Sequence, residues 1–276
     1  MDCRRKLLLK NGNIVPCGKC PACLANLRQE WVFRLKQEYL DSAFAIFVTL
    51  TYDEDHVPEN MSVNKKDVQD FHKRLRKHFP SRDLRFYVVS EYGDHTFRPH
   101  YHGLYFFKST YEKSFIYDVF ERSWHNGFCS FGDVEEGSIV YCTKYCLKSK
   151  VFPEGRTKPF RLVSKMNGGL GSYYLDKMKN FHNDQQQFSF VSYGGKTCRM
   201  PAYYKRKLSD RRDRWQMFDE YYSRCIHDQQ KRFAEYLQSH VGLSPDEAES
   251  RFTAFSKSIA DRRDELILKH TKKQKF

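Results

Sequence analysis

Long hydrophobic runs are missing from this sequence. Its longest apolar stretch, FAIFVTLTY at residues 44–52, has the length of a β-strand, whereas a helix that crosses a bilayer needs about 20 apolar residues. The first 13 residues hold an apolar core of only three leucines, which is too short for a secretory signal peptide. We therefore expect a cytoplasmic protein with no membrane partner.

The sequence also lacks a phosphate-binding loop of the form Gly-x-x-x-x-Gly-Lys-Ser/Thr. Without this motif we expect no nucleotide cofactor and no intrinsic ATP-driven unwinding of DNA. The chain has nine cysteines. Because the cytosol is reducing, we expect them to be thiols or metal ligands and not disulfides.

Acidic residues are too few to balance the basic ones. The chain has 48 Lys and Arg against 34 Asp and Glu, for a net charge of +14, which favours a polyanionic partner such as nucleic acid. Two basic stretches, 65–78 and 205–214, would neutralise phosphates, although each also fits a solvated helix face. Aromatic residues make up 16% of the chain, and the exposed ones would suit stacking on bases.

Hydrophobic periodicity predicts alternating strands and helices as far as residue 150. The predicted strands are 43–52, 84–93, 98–107 and 128–131. The predicted helices are 21–41, one capped by Asn64, 112–125 and 138–150. This order indicates an α+β fold with a central, mostly antiparallel sheet and flanking helices on one face. The segment LLLKNGNIVPC predicts two further short strands around an Asn-Gly turn.

Two histidines lie one residue apart in the predicted strand RPHYHGLYF, residues 98–106. Side chains alternate along a strand, so His100 and His102 point the same way. If strands 84–93 and 98–107 form a hairpin, Glu91 lies near His100. Two imidazoles and a carboxylate suit Mg²⁺, Mn²⁺ or a related divalent ion. The alternative is three polar side chains on a solvated face.

The segment YCTKYCLK contains Tyr-x-x-Lys twice, as Tyr141 with Lys144 and Tyr145 with Lys148. On a helix, residues four apart share a face. A nearby ammonium favours the phenolate form of a tyrosine or stabilises charge that develops on a phosphate. Two adjacent nucleophiles would allow two successive transesterifications. The alternative is an amphipathic helix with buried tyrosines and solvated lysines.

A third group of candidate residues is the cysteine cluster: Cys17, Cys20 and Cys23 of CGKCPAC, with Cys3 as a fourth thiolate. This spacing predicts a structural Zn²⁺ site. Runs of this kind also hold iron–sulfur clusters, which is the alternative.

These motifs together resemble the HUH endonucleases, which are named for two histidines around a bulky residue. The resemblance rests on PHYH with Glu91 upstream, on the strand FVTLTY at 47–52, and on the tandem Tyr-x-x-Lys helix downstream. The double tyrosine resembles rolling-circle replication initiators of microviruses, especially the gokushovirus group. CGKCPAC and the stretch FRLVSKMNGGLG are also similar to that group, although a proline of the corresponding Met-Ser-x-x-Pro-Gly-Ile-Gly motif is missing.

The resemblance covers residues 15–175 and implies a site-specific single-stranded DNA endonuclease and strand transferase. In such an enzyme His100, His102 and Glu91 would hold Mg²⁺ or Mn²⁺. Tyr141 and Tyr145 would each form a 5′-phosphotyrosine in turn. We thus expect a nicking domain at 1–175, and a basic, mostly helical extension of unknown role at 176–276.

The resemblance also implies partners and a location. Single-stranded and origin DNA would be the substrate, host polymerase and helicase would be partners, and the cytoplasm of an infected bacterial host would be the place. A transposase or relaxase with the same chemistry is one alternative. A basic nucleic-acid-binding protein without catalysis is another, and it would need neither the histidines nor the tyrosines.

Overall fold

The structure of the chain is a computed structural model that describes residues 3, 5–10, 14–80, 82–148, 152–166, 168–185, 190–193, 196–208 and 211–273. At some of these positions, including 145–148, it covers the backbone alone. Two compact units make up the chain: Met1–Ala25 with Met178–Phe276, and Asn26–Lys177. The predicted division into 1–175 and 176–276 stays a prediction.

Strands and helices alternate through the first part of the chain. The strands are β1 (Leu7–Leu8), β2 (Ile14–Val15), β3 (Phe44–Tyr52), β4 (Leu84–Tyr92), β5 (Pro99–Phe107), β6 (Gly127–Asp133), β7 (Arg161–Val163), β8 (Phe190–Tyr193) and β9 (Lys196–Arg199). The helices are α1 (Pro21–Leu40), α2 (Lys65–Leu75), α3 (Lys113–Ser123), α4 (Glu136–Lys148), α5 (Tyr173–Gln185), α6 (Ala202–Leu208), α7 (Arg211–Ser239) and α8 (Pro245–Lys273).

Five strands form the central sheet, in the order β6-β3-β5-β4-β7. Every neighbouring pair in it is antiparallel. The predicted α+β fold with a mostly antiparallel sheet is therefore confirmed. β7, a three-residue edge strand, was not predicted.

The first face of the sheet packs against α2 and α3. Even-numbered residues of β3, such as Val48 and Leu50, point to this side and are at most 1% exposed. They share a core cluster with Phe71 of α2 and Phe120 of α3. Alternation along the strand thus sends one set of side chains into this layer.

The second face of the sheet packs against α1 and α4. Leu104 and Phe106 of β5 join a second core cluster with Trp31 of α1 and Ile139 of α4. Helices therefore cover both faces, and the expectation of helices on one face alone was wrong. All nine residues of β4 are buried, which is what a strand covered on both sides requires.

The start of α2 confirms a local prediction. The side chain of Asn64 accepts a hydrogen bond from the backbone N–H of Lys66 at 2.9 Å. It thereby satisfies one of the amide groups that the first turn of a helix leaves without an intrahelical partner.

In the unit that holds both chain ends, β1 and β2 pair in antiparallel register, with Leu7 opposite Val15. The predicted strands are confirmed, while Asn11 and Gly12 of the predicted turn lie outside the described residues. The C-terminal segment forms α6, α7 and α8, so its predicted helical character is confirmed. Helices α7 and α8 pack through aromatic rings, with the centroids of Phe233 and Phe252 separated by 5.1 Å. Across the residues described, none of the helices combines the length and the apolar character that a membrane span needs.

Candidate active site

The β4–β5 hairpin brings together three side chains that offer metal-ligand atoms. Glu91 lies directly opposite His100 in the antiparallel register, so the two side chains point to the same side of the sheet. His102 lies two residues further along β5, on that same side. Ligand atoms of the three residues lie within 4.8 Å of one another. We call this group the Glu–His–His cluster.

Both histidines direct Nε2 towards the carboxylate of Glu91. The distance to Glu91 Oε2 is 3.4 Å from His100 Nε2 and 3.2 Å from His102 Nε2. Glu91 and His102 are at most 8% exposed, so these groups meet where water is largely excluded.

A backbone carbonyl sets the tautomer of His100. Nδ1 of this residue lies 3.1 Å from the carbonyl oxygen of Arg98. A carbonyl oxygen can only accept, so Nδ1 carries the proton and donates it. Nε2 of the neutral ring is then left with a lone pair, which a metal ion can use.

A threonine holds the second ring in the same way. Nδ1 of His102 lies 3.0 Å from Oγ1 of Thr49 on the neighbouring strand β3. When Nδ1 donates to this hydroxyl, Nε2 again presents its lone pair to Glu91. Burial lowers the pKa of His102, which favours the neutral ring that metal binding needs. Phe47 stacks on His102 with ring centroids 5.7 Å apart.

Helix α4 places a tyrosine beside the cluster. Oη of Tyr141 lies 3.2 Å from His102 Nε2 and 3.5 Å from Glu91 Oε2. Nζ of Lys144 lies 3.6 Å from the centroid of the Tyr141 ring, and Lys144 is only 4% exposed. The structure thus brings the first Tyr-x-x-Lys pair to the predicted metal ligands. The backbones of Tyr145 and Lys148 continue α4 by one turn, while their side chains lie outside the described part of the chain.

The donors of the cluster fit a divalent cation. With both Nδ1 atoms protonated, two imidazole lone pairs and a carboxylate oxygen face one another at hydrogen-bonding distances. Such a set of acceptors is stabilised by a cation between them. Nitrogen and oxygen donors of this kind suit Mg²⁺, Mn²⁺ and related ions.

The cysteine cluster is a separate group. Sulfur atoms of Cys3, Cys17, Cys20 and Cys23 lie within 4.8 Å of one another. These residues belong to the segment Met1–Ala25, and the Glu–His–His cluster belongs to the unit Asn26–Lys177. The structure therefore assembles both groups of predicted ligands.

Comparison with known families adds to this geometry. Residues 45–150 match the family model of the replication-associated protein ORF2. The matched segment contains the Glu–His–His cluster and both Tyr-x-x-Lys pairs, which come from β4, β5 and α4. No solved structure matches the chain.

Three phage proteins are similar to the chain over most of its length. It is 26% identical over 244 residues to Replication-associated protein ORF2 of Spiroplasma virus 4, covering 80% of this chain and 74% of that protein. It is 29% identical over 218 residues to Replication-associated protein VP4 of Bdellovibrio phage phiMH2K, covering 69% and 66%. It is 24% identical over 263 residues to Replication-associated protein ORF4 of Chlamydia phage 1, covering 84% and 65%.

The matched segments thus span about two thirds to three quarters of the lengths of these relatives. The predicted resemblance to replication proteins of small phages is confirmed at the level of the family. The metal ligands and the tyrosine roles stay predictions.

Sequence reasoning missed two residues that support the site. Thr49 and Phe47 were part of the quoted strand FVTLTY, but no role was assigned to them. Their odd positions on β3 put them on the same face as His102, which lies opposite Thr49 in the register. That register was the missing information, since no residue pattern in β3 alone shows which histidine it meets.

Proposed function

We propose that this chain initiates phage DNA replication by nicking one strand of a DNA origin and rejoining that strand after synthesis. The observation that carries the proposal is the position of Tyr141 Oη, 3.2 Å from His102 Nε2. A nucleophile next to a divalent-cation site is what attack on a phosphodiester requires. The similarity to replication-associated proteins of three phages supports the role in replication.

Glu91, His100 and His102 would hold the cation. A bound Mg²⁺ or Mn²⁺ supplies Lewis-acid polarisation of the scissile phosphate. The protein's own contribution is to fix two imidazoles in the correct tautomer through Arg98 and Thr49, and to bury the site so that electrostatic interactions are strong.

Tyr141 would be the first of two nucleophiles. Its phenol loses a proton to solvent, and Oη forms a bond to phosphorus while the bond from phosphorus to the 3′ oxygen breaks. The 3′ oxygen takes up a proton and becomes a free 3′-OH. The product is a 5′-phosphotyrosine. The Lys144 ammonium, held against the Tyr141 ring, favours the phenolate.

Tyr145, one turn further along α4, would attack in the second round with Lys148 as its partner. It cuts the regenerated origin, and the 3′-OH released there attacks the first phosphotyrosine and closes a circle. Each step exchanges one phosphoester for another, so no ATP is consumed. Host polymerase would extend the 3′-OH, and a host helicase would unwind the duplex.

The test is a denaturing gel of the protein with end-labelled single-stranded origin DNA, in Mn²⁺ or in EDTA. We expect an SDS-resistant adduct that needs Mn²⁺. It should survive in Tyr141→Phe and in Tyr145→Phe but disappear in the double variant, because either tyrosine can attack.

Tyr173→Phe is the matched control. Tyr173 is exposed on α5 and also has a lysine over its ring, with Lys177 Nζ 4.6 Å from the centroid. Loss of the adduct in this control would assign the effect to a general loss of tyrosine–lysine packing. If the wild type forms no adduct on any origin fragment, the chain is a basic DNA-binding protein without this chemistry.

A further inference from the structure

The cysteine cluster draws its four thiols from separate parts of the N-terminal segment. Cys3 precedes β1, Cys17 and Cys20 lie between β2 and α1, and Cys23 lies in the first turn of α1. Cys3 and Cys23 are each 8% exposed. A short two-stranded hairpin has little core of its own, so these thiols are its main internal contacts.

The sulfur positions match the corners of one metal tetrahedron. Zn–S bonds of about 2.3 Å place tetrahedral sulfurs about 3.8 Å apart. The two pairs that share no residue have nearly this separation: Cys20 Sγ lies 3.9 Å from Cys3 Sγ, and Cys17 Sγ lies 4.0 Å from Cys23 Sγ. These pairs are opposite edges of a tetrahedron.

Backbone amides around the turn are aimed at the sulfurs. The N–H groups of Lys19 and Cys20 point at Cys17 Sγ, at 3.4 Å and 3.3 Å. The N–H of Cys17 points at Cys3 Sγ, at 3.2 Å. Gly18 has φ of +70°, which glycine adopts without strain and which lets the turn fold around the sulfur. Donors placed in this way stabilise thiolates.

We propose that the cysteine cluster binds one structural Zn²⁺ through four thiolates. Four thiolates at these distances repel one another unless a cation lies between them. An iron–sulfur cluster fits less well, because each of its thiolates binds a different iron and the sulfurs lie further apart. The four protein ligands leave no open coordination position, so the role is structural.

The test is metal analysis of the full chain purified without added chelator. We expect about one zinc per chain. Cys20→Ser should abolish it, while Cys129→Ser, which changes a half-buried thiol outside the cluster, should keep it. In the wild type, a strong zinc chelator should release the metal together with a change in far-ultraviolet circular dichroism, which tests the site without any substitution.

Three results would overturn the zinc assignment. They are a purified chain with four reduced thiols and no metal, an iron and sulfide content with a visible chromophore, and a disulfide within the cluster found by mass spectrometry. None of these depends on nicking activity, so the assignment and the proposed function fail separately.

A second observation concerns an aromatic residue in line with the Glu–His–His cluster. The antiparallel registers place Glu91, His100, Thr51 and Phe128 in one row across β4, β5, β3 and β6. Residues directly opposite one another point to the same side of a sheet. Phe128 therefore lies on the second face, two strands from His100, or about 10 Å at ~4.8 Å per strand.

Phe128 is not used by the core of the protein. Its side chain is 68% exposed, whereas its neighbours Cys129 and Phe131 pack against the core of the first face. Ser130, on the same side as Phe128, is also exposed. The β6 end of the second face thus presents an open aromatic ring next to polar side chains.

We infer that Phe128 stacks on a base of the single-stranded DNA whose phosphate lies at the Glu–His–His cluster. The inference rests on the proposed function. Every base has a flat face that an exposed ring can stack on, and the net charge of +14 favours this polyanion. Stacked nucleotides rise about 3.4 Å each, so the base belongs to a nucleotide within about three positions of the nick.

The test compares binding of a fluorescent 20-nucleotide oligothymidylate in EDTA, where no strand is cut. We expect Phe128→Ala to bind about 5- to 100-fold more weakly, the range typical of one lost base stack. Phe128→Trp should keep the affinity, since a larger ring also stacks. Phe115→Ala, an exposed phenylalanine of α3 on the opposite side of the sheet, should bind as the wild type does.

Wild-type affinity in Phe128→Ala would overturn the stacking role even if the covalent adduct forms. Absence of the adduct with the stacking effect intact would instead contradict the proposed nicking. A wild-type chain that does not bind the oligothymidylate at all would overturn the stacking role.

Discussion

At the scale of residues, the site depends on two contacts that fix which nitrogen of each imidazole faces Glu91. His100 is held by a backbone carbonyl, which no substitution of a side chain removes. His102 is held by the hydroxyl of Thr49, which a substitution can remove. The two histidines can therefore be tested unequally, and Thr49 is the accessible control point.

We predict that Thr49→Val weakens Mn²⁺ binding and adduct formation by about 10- to 100-fold, the usual effect of losing a contact that orients a metal-ligating histidine. Valine has nearly the same shape as threonine but cannot bond to Nδ1, so His102 loses its fixed tautomer. The measurement is the Mn²⁺ dependence of adduct yield, which should shift to higher concentration.

Thr51→Val is the matched control on the same strand and face. The Thr51 hydroxyl contacts the carbonyl oxygen of Phe128, at 3.5 Å, whereas the Thr49 hydroxyl contacts the ring of His102. A normal Mn²⁺ dependence in Thr51→Val with a shifted one in Thr49→Val would assign the effect to His102. Equal shifts in both would contradict it.

The ligand types and the first tyrosine–lysine pair could be predicted from the sequence because they form short spacings, two residues apart on a strand and three apart on a helix. Thr49, Phe47 and the Arg98 carbonyl could not. Their roles depend on strand register and on backbone direction, and neither is encoded in a local pattern.

At the scale of elements, α2 carries a buried titratable group on the face that packs on the sheet. The His72 ring stacks on Phe86 with centroids 3.7 Å apart. His72 Nε2 lies 3.1 Å from the hydroxyl of Tyr105. Burial, with a smaller contribution from Arg76, lowers the pKa of His72 to about 3. The folded chain thus keeps this imidazole neutral.

We predict that this histidine makes folding stability fall at mildly acidic pH. The unfolded chain binds a proton at His72 below about pH 6.5, while the folded chain does so only near pH 3. Stability is therefore fully present above about pH 6.5 and is lost as the pH falls towards 3, with a slope of up to about 1.4 kcal/mol per pH unit from this residue.

Urea unfolding at pH 7.5, 6.0 and 5.0 measures this slope. His72→Gln should be less stable than the wild type at pH 7.5, because the stacking on Phe86 is lost, but it should lose less on acidification. His78→Gln, which changes an exposed histidine just after the same helix, should retain the wild-type slope. An unchanged slope in His72→Gln would refute the assignment.

Periodicity predicted the elements from β3 to α4 and their order. These elements are long, and each has a regular apolar spacing. β7 is only three residues long, and RLV alone has too few positions to show a period. It was missed for that reason, although its pairing with β4 makes β4 an interior strand.

At the scale of the whole molecule, the error concerned how many faces of the sheet are covered. The strand sequences are apolar at almost every position, as in LRFYVVSEY of β4. That pattern is typical of a strand buried on both sides. The interpretation as a one-sided layer overlooked it, and α1 and α4 occupy the second face.

Covering both faces has a consequence for where chemistry can occur. The second face is closed by α1 and α4 over β4 and β5, yet Phe128 and Ser130 at the β6 end are exposed. A strand of DNA can therefore approach along the open part of this face and still meet the tyrosine of α4.

The hairpin register also bears on how the site forms during folding. The three cluster residues lie within 12 positions of one another, Glu91 to His102, so little chain entropy opposes their meeting. Tyr141 joins from 39 residues beyond His102. Hairpins close in microseconds, and more distant contacts follow later. A nascent chain would therefore own a place for the ion before it owns a nucleophile, and could not cut DNA until the sheet had received its last helix.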